Sequence, residues 1–458
     1  ANTTGTRNLA IGYQAYTASD TENDNIAIGY QSMVTDTAGG TENTAVGNYS
    51  LDALTSGDGN TAVGMSALSA NSTGGYNTAV GRGALIANTT AQNNTAVGNY
   101  SLGANTTGAN NVAMGHAALD ANTTASDNIA IGTSAASANT TGTRIISIGT
   151  SAYGNSDTEN DNIAIGHQAM NTNTAGGTKN LAIGNYALDA LTSGDDNVAV
   201  GYDAMTANTT GVSNTAVGKG ALTANTTANY NNAFGENALL ANTEGTQNSG
   251  IGRYTLAANT TGSYNVGVGG DALTANTTAD NNTAVGAFSL SDNTTGAGNA
   301  ALGAYALENN TTAAENTAVG FYAAGDTTTG ADNTAIGAGS LRLNTTGANN
   351  TSLGKHSLYN SVGSNNTAIG KDALKATVVS GNTAVGGDAL MTNTTGIGNV
   401  AVGYTALKLN TTGVGMVAIG NGALDANTTG GDSVAIGINA LGSNQLQAVV
   451  LLLVQVRL

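Results

Sequence analysis

Three histidines, two acidic clusters and a long series of Asn-Thr pairs are the residues of this chain whose types invite a search for chemistry. His116, His167 and His356 stand roughly 50 and 190 residues apart, each in one of the two variable positions after a glycine. Such spacing predicts neither a metal site nor a catalytic cluster, and no Ser-His-Asp arrangement suggests itself. The acidic groups Asp20, Glu22, Asp24 and Asp157, Glu159, Asp161 offer hard oxygen ligands suited to Ca²⁺. They lack the Gly-Gly-x-Gly-x-Asp pattern of calcium-binding β-rolls, so solvated loops are expected in their place. Gly354-Lys355 and Gly370-Lys371 lack the loop spacing of a phosphate cradle. With no cysteine there is no thiolate nucleophile, thiolate metal site or disulfide framework. We expect no enzyme, no cofactor and no catalytic or metal residue.

The Asn-Thr pairs form Asn-x-Ser/Thr sequons at Asn2, Asn71, Asn88, Asn105, Asn122, Asn139, Asn208, Asn225, Asn259, Asn276, Asn293, Asn310, Asn344, Asn393, Asn410 and Asn427. Two readings are open: a turn-forming ladder of stacked side chains, or a row of glycosylated residues. The accompanying threonine rows raise a third, minor reading, an ice-binding lattice, although the glycines beside them predict a curved corner instead of a flat face. Tyr13, Tyr30, Tyr49, Tyr100, Tyr186, Tyr202, Tyr254, Tyr305, Tyr322 and Tyr404 recur at one part of the pattern. They are expected to pack against the next subunit or to be offered to a ligand such as a glycan. Five of the twelve basic residues fall between Arg342 and Lys408, where a kink or specialised contact is expected.

What positions all of these is a repeat. Asn-Thr-Ala-Val-Gly or a close variant recurs 26 times, from Asn8 through Asn25, Asn43, Asn60 and Asn77 to Asn399, Met416 and Ser433. Nearly every interval is 17 residues; Asn25 to Asn43 and Asn162 to Asn180 are 18, and Asn350 to Asn366 and Asn366 to Asn382 are 16. A strict short period means stacked identical units, and an array of this kind grows by adding turns. The predicted fold is therefore all-β, a parallel β-solenoid or β-roll of about 26 coils with a 17-residue period. At ~4.8 Å between strands it would extend about 125 Å. The array spans 1–442, and 1–68 resembles 138–205, including both 18-residue turns, which indicates duplication of an eight-coil block. Residues 443–458 abandon the pattern and are expected to form an apolar cap, a subunit joint or the start of a further segment.

Each coil aligns as Asn-(Thr/Val/Ile)-Ala-(Val/Ile)-Gly-x-x-(Ala/Ser)-Leu-x-Ala-Asn-Thr-Thr-Gly-x-x, with the first Asn at position zero. Two short strands and two corners fit this length. The branched residue at position three (Ile11, Val46, Val63, Val80) and the leucine at position eight (Leu51, Leu68, Leu85, Leu102) are predicted to face each other as the core ladders. Position two, on the opposite strand face, is held to a small residue: Ala10, Ala27, Ala45, Ala62, Ala79, Ala96. Such a size limit predicts tight packing, preferentially against another subunit, with a thin coil whose walls nearly touch as the alternative. The glycine at position four is expected to sit at a corner needing positive φ or close backbone approach.

Composition narrows the function further. A net charge of −17 repels phosphates and argues against a nucleic-acid partner. The apolar run Ala448 to Val454 is far shorter than the roughly 20 residues of a spanning helix. The chain begins at Ala1 without a basic-then-apolar leader and reads as a processed or excerpted piece.

Segments such as Asn25-Ile-Ala-Ile-Gly-Tyr-Gln-Ser and Asn162-Ile-Ala-Ile-Gly-His-Gln-Ala resemble the head repeat of YadA-like trimeric autotransporter adhesins, also found in phage tail-fibre-type proteins. The resemblance covers about 8–440. It implies a left-handed parallel β-roll, three chains side by side, and an extracellular location on a cell or virion surface, where the fibre projects or binds host, matrix or glycan. The longer turn around Asn-Thr-Thr-Gly departs from the family and should form a larger outer loop, and no heptad stalk, neck or membrane-anchoring barrel is read in the chain. An adhesin shaft is thus the leading expectation, and a self-assembling, glycosylated filament subunit joined end to end is the alternative.

Overall fold

The computed structural model describes residues 4–18, 21–36, 39–442 and 451–452. The chain divides into two compact units, Ala1–Tyr230 and Asn231–Leu458, and the β-solenoid expected from the period is present in each. The first unit contributes thirteen three-residue strands, from Leu9–Ile11 to Thr215–Val217. The second contributes thirteen more, from Asn232–Phe234 to Val434–Ile436, followed by the two-residue strand Leu451–Leu452. No helix occurs among the described residues. Of the expected cap 443–458, only Leu451–Leu452 is described, in parallel register with Val434–Ala435; the rest lies outside the described residues.

Successive strands pair in parallel with position matched to position, as in Thr61↔Thr78, Ala62↔Ala79 and Val63↔Val80. The irregular coils leave this register intact: Ile26 still meets Thr44 across an 18-residue turn, and Thr351 still meets Thr367 across a 16-residue one. Insertions and deletions are absorbed at the outer corner. The added residues there are Gly39 and Gly176, both at φ 103°, where a side chain would be strained.

Each coil has one strand, not two. The leucine side is a run of turns in which position eight adopts the left-handed conformation (Leu51 φ 49°, Leu68 φ 51°, Leu85 φ 51°, Leu102 φ 49°). A non-glycine residue in this region costs of the order of 1–2 kcal/mol, and complete burial of the leucine offsets it. Coils are still tied together on this side, by bonds such as Leu68 N–H to the Ala84 carbonyl at 3.0 Å and Leu85 N–H to the Ser101 carbonyl at 3.0 Å.

The strand faces the other way from the sequence expectation. Ala27, Ala45, Ala62, Ala79 and Ala96 are wholly buried inside the coil with Leu51, Leu68, Leu85 and Leu102, and only Ala10, in the first coil, is exposed. Val46 is half-buried, Val63 and Val80 are 36% and 37% exposed, and Ile11 is 55% exposed, so these four point outward and do not build the core. The alanines accordingly cannot be an intersubunit face: they pack on position seven of their own chain. Ser147, replacing Ala, donates from Oγ to the Ala152 carbonyl at 2.7 Å, and Ser352 does the same to the Ser357 carbonyl at 2.9 Å. Where position seven enlarges to Thr255, position two shrinks to Gly267, whose Cβ would lie 2.4 Å from Thr255 Cγ2. The thin-coil alternative is the one realised.

Two asparagine ladders complete the interior. At position zero, Asn60 N–H donates to Asn43 Oδ1 at 2.9 Å, and its Nδ2 donates to the Gly74 carbonyl at 2.9 Å. These buried amides satisfy corner groups that the one short strand leaves unpaired.

Candidate functional surface

The position-eleven asparagines, which carry the sequons, form the second ladder. Asn105 Nδ2 donates to Asn88 Oδ1 at 3.1 Å and to the Gly108 carbonyl at 2.9 Å, and Asn122 repeats the pattern on Asn105 at 2.9 Å. Asn71, Asn88, Asn105, Asn122, Asn139, Asn208, Asn225, Asn259, Asn276, Asn293, Asn310, Asn344, Asn393 and Asn410 are wholly buried, and Asn427 is 2% exposed. A glycan on Nδ2 would occupy the coil interior, so the geometry corrects the glycosylation reading and favours the turn-forming one. Asn2 lies outside the described residues. The threonines after these asparagines link coils as well: Thr106 Oγ1 donates to the Thr123 carbonyl at 3.0 Å.

The acidic clusters are structural. Asp24 and Asp161 pair with Arg7 and Arg144 of the preceding coil, and those guanidinium hydrogen bonds hold both carboxyls below their ordinary range. Glu22 and Glu159 are buried and accept from the backbone N–H groups of Gly39 and Gly176, each at 3.1 Å, at the widened corner of the next coil. Asp20 lies outside the described residues. Among the described residues no group of three His, Asp or Glu side chains is placed to hold a metal ion. The histidines are likewise dispersed: His167 meets Tyr186 edge-on at 5.4 Å, and His356 faces Asp372 at 3.7 Å.

A buried acid that the sequence reading did not single out is Asp36, which occupies an inner-ladder position where the duplicated block has Asn173. Burial, followed by the charge of Glu22, raises its pKa to about 7. The sequence signal was present: it is the one aspartate at position eleven of the repeat. Nearby, Tyr16 replaces the core leucine, and its hydroxyl accepts from Asn25 Nδ2 at 2.7 Å; Tyr153 and Asn162 repeat the contact at 3.0 Å.

The aromatic residues form interrupted surface columns. Tyr13 stacks on Tyr30 at 5.4 Å, and Phe288, Tyr305 and Tyr322 stack in sequence at 5.3 and 4.6 Å. Intrachain packing is therefore part of their role.

A repeated uncharged surface is the outward face of the strands. Within each unit it presents positions one and three, as in Thr61 and Val63, Thr78 and Val80, Val400 and Val402, Val417 and Ile419. None of the three-residue strands carries a charged side chain. Exposed branched residues on this face include Ile251 at 46% and Ile419 at 39%. Rows of Thr, Val and Ile at strand spacing make an uncharged, partly apolar, regular surface of a kind that isolated soluble proteins rarely leave open. No helix among the described residues is long and apolar enough to cross a membrane. The chain matches no protein-family model and no functionally described protein.

Proposed function

We propose that this chain is a structural shaft of an extracellular fibre or adhesin, in which three copies associate through the outward strand face. The carrying observation is that face itself: branched apolar and threonine side chains, uncharged in every three-residue strand, exposed on an otherwise polar, acidic chain. Burying such rows against copies of themselves removes apolar surface from water at about 25 cal/mol per Å². The repeat then serves a mechanical end, since each added coil extends the same core and the same interface. This reading replaces alanine-face packing with valine-face packing and retains a homotrimer on a cell or virion surface, with host, matrix or glycan as the contacted partner.

Native mass spectrometry of the whole chain, with and without Val63→Lys and Val80→Lys together, tests this. Three chains per particle, falling to one in the double variant, is the expected result. A monomeric wild type would overturn the shared interface, and an open-ended mass would favour the end-to-end filament. Thermal hysteresis by a monomer would assign the threonine-bearing face to ice.

A further inference from the structure

The aromatic column of the second unit ends differently on its two sides. The rings of Phe288, Tyr305 and Tyr322 are stacked nearly parallel in succession, with interplanar angles of 3° and 7°. At the Tyr322 end the guanidinium of Arg342 lies 4.2 Å from the ring centroid and caps the stack. At the Phe288 end the same column position one coil earlier is Asp271, whose short side chain leaves a cavity of about 310 Å³. That cavity is walled by Asp271, Thr274, Phe288, Ser291, Asp292 and Glu308.

We propose that this cavity binds the guanidinium group of an arginine side chain from a basic peptide or protein segment, laid on the free face of Phe288 between the carboxylates of Asp292 and Glu308. The chain demonstrates the mode of recognition at the other end of the stack, where Arg342 does the same to Tyr322. It does so again where Arg253 lies over Tyr254 at 4.9 Å and Arg82 over Tyr100 at 5.7 Å. A planar, weakly hydrated cation suits an aromatic face and takes carboxylates in a fork.

The carboxylates at the cavity are available for this. Asp271 is paired with Arg253 at 3.3 Å, but among the described residues neither Asp292 nor Glu308 has a cationic partner within salt-bridge distance. Burial raises the Glu308 carboxyl, and the neighbouring charges of Asp292 and Asp326 add to this while Arg342 opposes them. A bound cation would relieve that crowding. Thr274 and Ser291 complete the polar part of the lining. The net charge of −17 favours encounter with a basic segment.

The test is calorimetric titration of the full-length protein with a hexa-arginine peptide, a hexa-lysine peptide and a neutral glucose oligosaccharide. Wild type is compared with Phe288→Ala, the double variant Asp292→Asn/Glu308→Gln, and Asp127→Asn as a distant exposed control. Circular dichroism checks that each variant keeps its fold. The expected result is binding of hexa-arginine more tightly than hexa-lysine, weakened at least tenfold by both cavity variants and unchanged by the control. Equal binding by all four proteins would overturn the proposal in favour of diffuse charge attraction. Binding of the oligosaccharide with loss in Phe288→Ala, without arginine binding, would overturn it in favour of a glycan site.

Discussion

Asn88 Nδ2 donates to Asn71 Oδ1, one coil earlier, at 2.8 Å, while Asn88 Oδ1 accepts from Asn105 Nδ2, one coil later, at 3.1 Å. Asn88 is thus both donor and acceptor to its neighbours, in a site closed to water. Replacing Asn88 with Leu keeps the bulk and leaves Asn71 Oδ1 and one N–H of Asn105 Nδ2 unpaired, whereas the Ala91 carbonyl, to which Asn88 also donates, keeps the bond from Asn77 Nδ2 at 2.8 Å. The expected loss is about 3 kcal/mol, summed over groups left unsatisfied. Hydrogen exchange should show faster opening of the coils around 71–105, and an unchanged exchange pattern would contradict the ladder's role.

The ladder has a natural gap that can be filled. Thr327 occupies position eleven, and both its Oγ1 and Asn310 Oδ1 are buried without a partner. Thr327→Asn should place an Nδ2 donor against Asn310 Oδ1 as in the neighbouring coils. A gain of about 1 kcal/mol is expected in denaturant unfolding; destabilisation would mean the corner there cannot house the larger amide.

The same burial bears on modification. When the protein is produced in a glycosylating host, folded material should have the mass of the bare polypeptide at every buried sequon, Asn71 to Asn427. Peptide mapping that finds hexosamine on Asn105 or Asn259 in folded protein would contradict the interior placement.

Asp36 makes stability depend on pH. Its folded pKa, about 7, lies above the ordinary carboxyl value of 3.8, so between these values the folded state holds a proton that the unfolded state has released. Its contribution is therefore most favourable at low pH and is lost as pH rises from about 4 to 7. Asp36→Asn should stabilise the first coils by about 2 kcal/mol at pH 8 and by little at pH 4. Melting curves at both pH values check the sign, and an equal shift at both would remove Asp36 as its source.

Orientation of the strand is testable with neighbouring residues. Ala79→Val inserts two methyl groups into the closed interior and should cost about 1–3 kcal/mol. Val80→Thr, on the outer face, should leave the stability of a single chain nearly unchanged while weakening association of copies. The reverse ranking in the single chain would restore the valine-in arrangement.

Much of this was legible from the repeat. Its period gave the coil, Gly64 marked a corner with φ 137° where an added Cβ would lie 2.5 Å from the Gly81 carbonyl oxygen, and Leu68 and Leu85 were identified as interior. Asn71 and Asn88 were read as a turn ladder or a glycan row because the motif Asn-x-Thr is identical in both cases. Glu22 and Glu159 looked like surface acids because the backbone groups they accept from belong to a loop 17 residues later.

The sequence by itself determined that the chain repeats as stacked parallel coils, because only stacking keeps Val, Leu, Asn and Gly in phase over so many turns. It did not determine which strand face is inside. A three-residue strand offers only two choices, and hydrophobicity alone favours Val46 and Val63 inward. Tertiary structure decided otherwise because the coil is narrow: with leucine and two amide ladders already inside, the space opposite position seven admits alanine, serine or glycine, as Ala62, Ser147 and Gly267 show. The larger branched residues are thereby turned outward, where their size is unrestricted.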